Sequence, residues 1–258
     1  MSSSTAPAVQ LDLAEYVVRL GDDALVLSQR LCEWVTRSPT IEEDLAFANL
    51  ALDLLGHART LLDHAGRLDG TGRGEDDFAF DRTERDFRNT LLVELPRGDF
   101  AFTIARQLVY AHYSALLWTA LESCADEVLA AFGARAAREV EYHRLHAAQW
   151  TVRLGRGTAE SRLRMQRGLD EVWPYADELF ASDALSDRLD AGGIVIAPAG
   201  LRSDWQRAVS AVIEEARLSP PRPSWRASGG RTGLHSEAFG PLLAELQAVR
   251  RQHPGGTW

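Results

Sequence analysis

The chain has 258 residues, of which 45% are apolar and 25% charged, and its formal net charge is −9. This composition is typical of a globular protein with a large core and excludes a disordered chain. The negative charge argues against non-specific binding to nucleic acid or to an anionic membrane surface, because both need a basic footprint.

Nothing in the sequence indicates export or membrane insertion, so we expect a cytoplasmic protein. Residues 1–10 are polar and predicted to be flexible, and they lack the basic and apolar regions of a signal peptide. No apolar stretch approaches the roughly 18 residues that a membrane span needs. Cys32 and Cys124 lie in helical apolar patterns and lack the spacing of a disulfide framework or a thiolate metal site.

Long proline-free runs, with apolar residues at spacings of three and four, predict four long helices in the first part of the chain. The second helix begins at Thr40, which forms a predicted capping box with Glu43. The connection from the second helix to the third is long enough for a crossover. We therefore predict an all-α fold with a ferritin-like four-helix bundle and a long crossover between helices two and three. The predicted spans are about 13–35, 40–68, 100–123 and 126–154.

Extra helices are predicted after the bundle. The first of them contains Pro174, which is expected to kink it. Their predicted spans are about 161–180, 198–218 and 236–251. We expect a single ferritin-like domain at 11–258, with a core bundle at about 11–155 and a C-terminal helical extension at about 158–258.

Carboxylates and histidines on three of the long helices are candidate metal ligands. A ferritin-like di-metal site takes a Glu from each of two helices and a Glu-x-x-His motif from each of the other two. Asp53 with His57, and Glu139 with His143, are spaced i,i+4 instead of i,i+3, and Glu122 lies at the end of helix three. The alternative for each is structural: a histidine hydrogen-bonded in the core, or a polar residue facing solvent or a partner.

Helix one lacks the carboxylate that this recipe requires. Ser28 stands at the centre of its apolar stripe, and Asp22 and Asp23 lie off the stripe. A di-metal centre without one carboxylate arm, and with both Glu-x-x-His spacings altered, is interpreted as vestigial. We therefore expect no metal, no other cofactor and no catalytic residue in this chain.

Two helices carry unusually wide apolar surfaces. On helix two the apolar face centres on Leu50 and Leu54 and is extended by Leu52 and Leu55. Helix three is apolar nearly all round, which is typical either of a helix covered by its neighbours or of an obligate protein interface. Tryptophans outside the predicted bundle, among them Trp258, favour an interface. The candidate interface residues on helix three are Phe102, Tyr110, Tyr113 and Trp118.

The Pro-, Arg- and Gly-rich loop at 219–233 is a candidate for contact with an anion or an acidic partner. Arg222, Arg226 and Arg231 supply its positive charge, and guanidinium groups bind carboxylate and phosphate with paired hydrogen bonds. The alternative is an ordinary solvated loop.

Nine segments, in order along the chain, resemble the ferritin-like structural subunits of the bacterial phenylacetyl-CoA epoxidase of the phenylacetate degradation pathway, the PaaC family. The resemblance runs from about residue 11 to the C-terminus, although no single segment would be enough to establish it. The segments are Leu20–Leu25, Arg30–Trp34, Glu42–Asp44, Ala51–Gly56, Glu84–Asn89, Gly98–Ala101, Glu139–His143, Gly229–Glu237 and Gly240–Gln247.

This resemblance implies a non-catalytic subunit that pairs with, and stabilises, a homologous di-iron catalytic subunit. The complex it implies also contains a further small subunit and a reductase, and it converts phenylacetyl-CoA to the ring-1,2-epoxide with oxygen and NADPH. We expect a hetero-oligomer, or a homodimer when the partner is missing. Two other hypotheses are a ferritin-like di-metal oxidase or oxygenase active on its own, and a helical adaptor without a metabolic role.

Overall fold

The computed structural model describes residues 5–256, and within that range every regular element is a helix. Trp258, one of the tryptophans taken to favour an interface, lies outside the described residues. The described chain divides into two compact units. The first unit contains the residues up to Pro96 together with those from Gly229 onward, and the second runs from Arg97 to Ser228. None of the helices in the described range is long and apolar enough to cross a membrane.

The first unit is built on two long helices, α1 (Thr5–Cys32) and α2 (Ile41–Leu68), which pack against each other. They approach each other closely at Gly21, where an added Cβ would lie 2.7 Å from Leu62 Cδ2. Short helices complete the unit: α3 (Glu75–Phe80), α4 (Leu91–Glu94), α10 (Phe239–Leu246) and α11 (Ala248–Gln252), with 3₁₀ turns at Glu84–Asp86 and Gly230–Thr232.

The second unit is built around α5 (Phe100–Leu121), which packs against α6 (Glu127–Gly155) and α7 (Ala159–Val172). Glycines permit these close contacts, because a Cβ on Gly168 would lie 3.0 Å from the Ala101 carbonyl oxygen. The remaining elements are α8 (Ala184–Ala191), α9 (Arg202–Glu215), and 3₁₀ helices at Trp173–Phe180 and Pro198–Leu201.

The predicted all-α class is confirmed for the described residues, and the four long helices lie close to their predicted spans. The start of α2 is as predicted, because Thr40 Oγ1 accepts a hydrogen bond from the Glu43 backbone N–H at 3.4 Å. Near Pro174, where a kink was predicted, the α-helix changes to a 3₁₀ helix after Val172. The ferritin-like arrangement of the long helices stays a prediction.

The structure differs from the prediction at three places in the helix order. Helix α1 begins at Thr5, so residues 5–10 are helical, while residues 1–4 lie outside the described range. The short helix α8 was not predicted, because eight residues are too few for a clear apolar period. The last predicted helix is two short ones, α10 and α11, which meet at Gln247. The two units also divide the chain differently from the predicted core bundle and extension, and the single-domain prediction stays untested.

Candidate functional site

The metal-ligand candidates of the first unit lie on α2. His57 is buried and Asp53 is half-buried. On the neighbouring helix α1, the Ser28 hydroxyl donates to the Ala51 carbonyl oxygen at 2.7 Å. This hydrogen bond is a satisfied contact between the two helices. Ser28 thus occupies the position on α1 where the ligand recipe would place a carboxylate.

The metal-ligand candidates of the second unit lie at the end of α5 and on α6 and differ in how far they are buried. Glu122 caps the C-terminus of α5 and is exposed. On α6, His143 is buried, whereas Glu139 is half-buried and lies 3.8 Å from the Arg135 guanidinium. Glu139 was predicted to lie at the edge of the apolar stripe and to face roughly inward, and its ligand role stays untested.

No group of three or more His, Cys, Asp or Glu side chains in the described range is placed to hold a metal ion. The residues therefore do not fit the ligand set of a ferritin-like di-metal centre, which needs at least three donors for each metal. The expectation that this chain carries no metal of its own stays a prediction.

Three buried carboxylates of the first unit are committed to other partners, and we call them the carboxylate network: Asp22, Asp23 and Glu94. Both carboxylate oxygens of Asp22 accept from the Arg82 guanidinium, and Oδ2 also accepts from the Arg88 backbone N–H at 2.8 Å. Arg82 is itself nearly buried and stacks over the Phe87 ring. Asp22 is thus enclosed in a charge-assisted pair, which is among the stronger hydrogen-bonding arrangements in proteins.

Asp23 is held by the crossover and by the C-terminal segment at the same time. Its Oδ1 accepts from the Thr90 N–H at 2.7 Å, and its Oδ2 accepts from Arg231 at 2.6 Å. Arg231 also donates to the backbone carbonyls of Arg19 and Arg88, at 2.9 and 2.8 Å. Burial raises the pKa of the Asp23 carboxyl, and the positive charge of Arg231 opposes that shift.

Glu94 forms hydrogen bonds with both the crossover and the C-terminal segment of the first unit. Its carboxylate accepts from the Ser236 N–H at 2.5 Å, from Asn89 at 2.9 Å and from His235 Nδ1 at 2.7 Å. The other His235 nitrogen lies 3.2 Å from the Phe87 carbonyl oxygen. Both ring nitrogens of His235 therefore lie within hydrogen-bonding distance of an oxygen acceptor in the first unit.

The loop arginines do not form one cluster. Arg231 belongs to the first unit, where its hydrogen bonds lie inside the fold, so the expectation of a solvated or ligand-binding side chain is wrong for this residue. Arg222 and Arg226 belong to the second unit and are exposed, and Arg226 forms an ion pair with Asp177. An anion- or partner-binding role for these two stays a prediction.

The candidate interface residues of α5 lie mostly inside the second unit. Tyr110, Tyr113 and Trp118 are buried, and Phe102 is half-buried. The Tyr113 ring packs edge-on against Phe180 at 5.5 Å, and Trp118 packs edge-on against Phe132 at 5.0 Å, measured between ring centroids. Their burial favours the alternative in which the chain itself covers α5, and their interface role stays untested.

The uncovered apolar surface lies on α2 instead. Ile41 is 74% exposed, Leu45 and Leu52 are each 63% exposed, and Leu55 is 39% exposed. Leu52 and Leu55 were predicted to extend the apolar face that centres on Leu50 and Leu54, but they are exposed and do not lie on the buried face. The core face is formed by residues such as Leu50, Leu54 and Leu61, whereas Leu52 and Leu55 belong to a second row on the solvent side.

Sequence reasoning missed both the carboxylate network and the exposed row. One available signal was Asp22–Asp23 directly before the apolar run Ala24–Leu27, because adjacent buried carboxylates need partners. A second signal was Gly229-Gly230. A Cβ on Gly230 would lie 2.2 Å from the Asn89 carbonyl oxygen, so only glycine permits this approach of the C-terminal segment to the crossover.

Over residues 5–256 the chain is all-helical, and it assembles no group of three or more metal-binding side chains there. Comparison with known proteins places it more closely: the chain belongs to the phenylacetic acid catabolic protein family (PaaA_PaaC), whose pattern matches residues 2–258. It is 46% identical over 246 residues to the C subunit of the 1,2-phenylacetyl-CoA epoxidase of Escherichia coli strain K12. That alignment covers 95% of this chain and 99% of the relative.

Proposed function

We propose that this chain is a non-catalytic structural subunit of a cytoplasmic phenylacetyl-CoA 1,2-epoxidase in phenylacetate catabolism. In this proposal it pairs with, and stabilises, a homologous di-iron catalytic subunit, and its own long helices keep the ferritin-like bundle. Family membership and the 46% identity to an epoxidase subunit support the assignment to this complex.

The observation that carries the non-catalytic role is the state of the buried carboxylates. Asp22 and Asp23 are the carboxylates that α1 buries, and each already accepts hydrogen bonds from an arginine and a backbone N–H. A carboxylate that ligates iron must turn its oxygens to the metal. Releasing Asp23 would leave the half-buried Arg231 without its counter-charge, which is costly. The buried carboxylates of α1 therefore serve as structural contacts and are not free to act as metal ligands.

The competing proposal is a di-metal oxidase or oxygenase that is active on its own. Its support is the pair of buried imidazoles, His57 on α2 and His143 on α6, each with a carboxylate four residues before it. Imidazole and carboxylate together suit iron or manganese. This proposal requires Glu139 to leave Arg135 and turn inward.

Metal analysis of the isolated chain separates the two proposals. The chain is expressed with added iron, purified alone and analysed by mass spectrometry, together with Glu139→Ala. Glu141→Ala is the matched control, because Glu141 lies on the same helix and pairs with the surface residue Arg144. We expect less than about a tenth of an equivalent of iron in all three proteins. About two equivalents in the wild type and the control, lost only in Glu139→Ala, would establish the di-metal proposal.

Reconstitution tests the pairing itself. We expect the chain to form a stable complex with the catalytic subunit and to show no epoxidase activity without it. The catalytic subunit should be more resistant to thermal unfolding in the complex than alone, because a partner that binds only the folded state stabilises it. A chain that neither binds nor stabilises the catalytic subunit would overturn the proposal.

A further inference from the structure

The exposed row on α2 has the spacing of a helix-pairing surface. Starting at Ile41, the outward positions follow one another at intervals of four, three, four, three and four residues. This 3.5-residue period keeps a stripe of side chains facing a neighbouring helix along its whole length. We call these residues the α2 seam: Ile41, Leu45, Ala48, Leu52, Leu55 and Arg59.

The fold of the first unit does not need the seam. Helix α2 buries a separate row that includes Leu50, Leu54 and Leu61, and these side chains are almost fully covered. A solvent-facing row in a globular protein is ordinarily charged or polar. The outward side of α9 shows this, because Arg207, Ser210 and Glu214 lie there. Four large aliphatic side chains on one exposed row therefore indicate a surface that is covered in an assembly.

A cleft adjoins the C-terminal half of the seam. It has a volume of about 430 Å³, and its lining is mostly apolar: Leu25, Leu55, Ala58, Leu62, Ala79 and Phe80. Leu55 belongs both to the seam and to the cleft. A cleft of this size beside an apolar stripe suits a bulky anchor side chain of a partner, since binding energy concentrates where such anchors fill pockets.

The charges of α2 define the chemistry of the partner. The helix carries five carboxylates and two arginines, and one of these arginines, Arg59, forms an ion pair with Glu75. At the start of the seam, a hydrogen bond from its own backbone N–H lowers the pKa of Glu42, and one from Ser38 N–H lowers the pKa of Asp44. Both carboxylates are ionised at neutral pH, so a complementary surface has basic groups beside its apolar residues.

We propose that the α2 seam is the docking surface for one helix of the di-iron catalytic subunit, a helix with an apolar stripe of the same period edged by Lys or Arg. This inference rests on the proposed function and adds to it the face of the chain that meets the partner. The seam supplies the apolar contact, the cleft accepts an anchor side chain, and the acidic flank sets the orientation.

The test compares two exposed apolar sites in complex formation with a tagged catalytic subunit. The seam variant is Leu45→Glu with Leu52→Glu. The control is Leu163→Glu on α7, because Leu163 is 65% exposed and lies outside the first unit. All three sites are exposed, so the variants should fold like the wild type. We expect the control to bind like the wild type and the seam variant to bind at least about 100-fold more weakly.

Hydrogen exchange gives a second readout on the wild-type complex. Backbone amides in peptides that cover 41–59 should exchange more slowly in the complex than in the isolated chain, while α7 peptides should not change. The charge argument has its own variant, Glu42→Arg, with Glu160→Arg on α7 as the control. Glu42→Arg should slow association several-fold and reduce its dependence on salt.

The outcomes separate the inference from the proposed function. If the wild-type chain does not bind the catalytic subunit, the proposed function fails. If the wild type and the seam variant bind equally well, the function stands and the α2 seam is not its docking surface. If the seam variant abolishes self-association, measured by light scattering, but leaves the mixed complex intact, a second copy of this chain occupies the seam and our inference is wrong.

Discussion

The two units of the chain are stabilised by different chemistry. In the first unit, the buried carboxylates Asp22 and Asp23 each accept from an arginine and from a backbone N–H, as Asp23 does from Arg231 and from the Thr90 N–H. The second unit stacks aromatic rings, and Tyr113 and Trp205 both pack against Phe180. Directional hydrogen bonds to buried carboxylates are therefore a main feature of the first interior, and aromatic packing is a main feature of the second.

The distance along the chain explains part of this difference. Asp23 and Arg231 are 208 positions apart, whereas Trp205 and its hydrogen-bond acceptor Val109 are 96 positions apart. A C-terminal segment that returns to the first helix has many possible registers along it. A buried ion pair with fixed geometry penalises every wrong register, and we interpret the carboxylate network as the feature that selects one.

The largest effect that tests this comparison is expected at Asp23. Asp23→Ala should lower the free energy of unfolding by about 3–5 kcal/mol, because it leaves the half-buried Arg231 without its counter-charge and the buried Thr90 N–H without an acceptor. The measurement is urea unfolding at neutral pH, with Glu214→Ala on the exposed side of α9 as a control that should change stability by less than about 0.5 kcal/mol.

A double variant sharpens the same test. Asp23→Leu with Arg231→Met should cost less than Asp23→Ala alone, because no unpaired charge stays buried. If Asp23→Ala costs less than about 1 kcal/mol, the ion pair does not govern the stability of the first unit, and the contrast between the two units fails.

The carboxylate network also shows where sequence reasoning reaches its limit. Helical periodicity places Asp22 and Asp23 off the apolar stripe of α1, and an off-stripe position is ordinarily exposed. Both are buried because the crossover and the C-terminal segment cover that side of the helix. Periodicity describes one helix at a time, so it predicted the long helices well and could not detect cover from segments far away in the chain.

The second-largest effect is expected at a buried histidine of the second unit. His112 donates from Nδ1 to the Leu108 carbonyl oxygen at 2.8 Å, and burial lowers its pKa from 6.5 to about 4. The nearby charges are Glu141, which opposes this shift, and Arg144, which adds to it. A lowered pKa means that the unfolded chain binds the proton more tightly, so the stabilisation is present above pH 6.5 and is lost as the pH falls toward 4.

Unfolding by urea between pH 7 and pH 4 measures this effect. His112 should account for a loss of about 1.4 kcal/mol for each pH unit in that window, or about 3 kcal/mol in total. His112→Gln should be less stable than the wild type at pH 7 but should lose stability less steeply toward pH 4. Equal slopes for the two proteins would show that His112 does not titrate as its burial implies.

A smaller effect is expected from the polar contact within the aromatic packing. The Trp205 indole N–H donates to the Val109 carbonyl oxygen at 3.0 Å. Trp205→Phe keeps an aromatic ring and removes this donor, so it should cost about 1–2 kcal/mol in thermal or urea unfolding. Trp225→Phe is the control, because Trp225 is half exposed, and it should cost less than about 0.5 kcal/mol. A loss at Trp205 as large as that at Asp23 would erase the contrast between the units.

Helix α2 shows the same limit of helical periodicity within a single helix. The sequence correctly placed Leu50 and Leu54 at the centre of a buried face, but it merged Leu52 and Leu55 into that face. A row of apolar residues that packs against the core has the same residue types as a row that binds a partner. Only the position of the rest of the chain distinguishes them, so the candidate interface was assigned to α5, which the second unit itself largely covers.

The smallest change in stability is therefore expected on the α2 seam. Leu52 is 63% exposed and Leu50 is fully buried, although they are two positions apart on the same helix. Leu52→Ala should change the free energy of unfolding by less than about 0.5 kcal/mol, because little covered surface is lost and alanine is a good helix former. Leu50→Ala, the matched control, should cost about 2–5 kcal/mol through the cavity it leaves. If Leu52→Ala is as destabilising as Leu50→Ala, the first unit itself covers the seam and no surface of α2 is left for a partner.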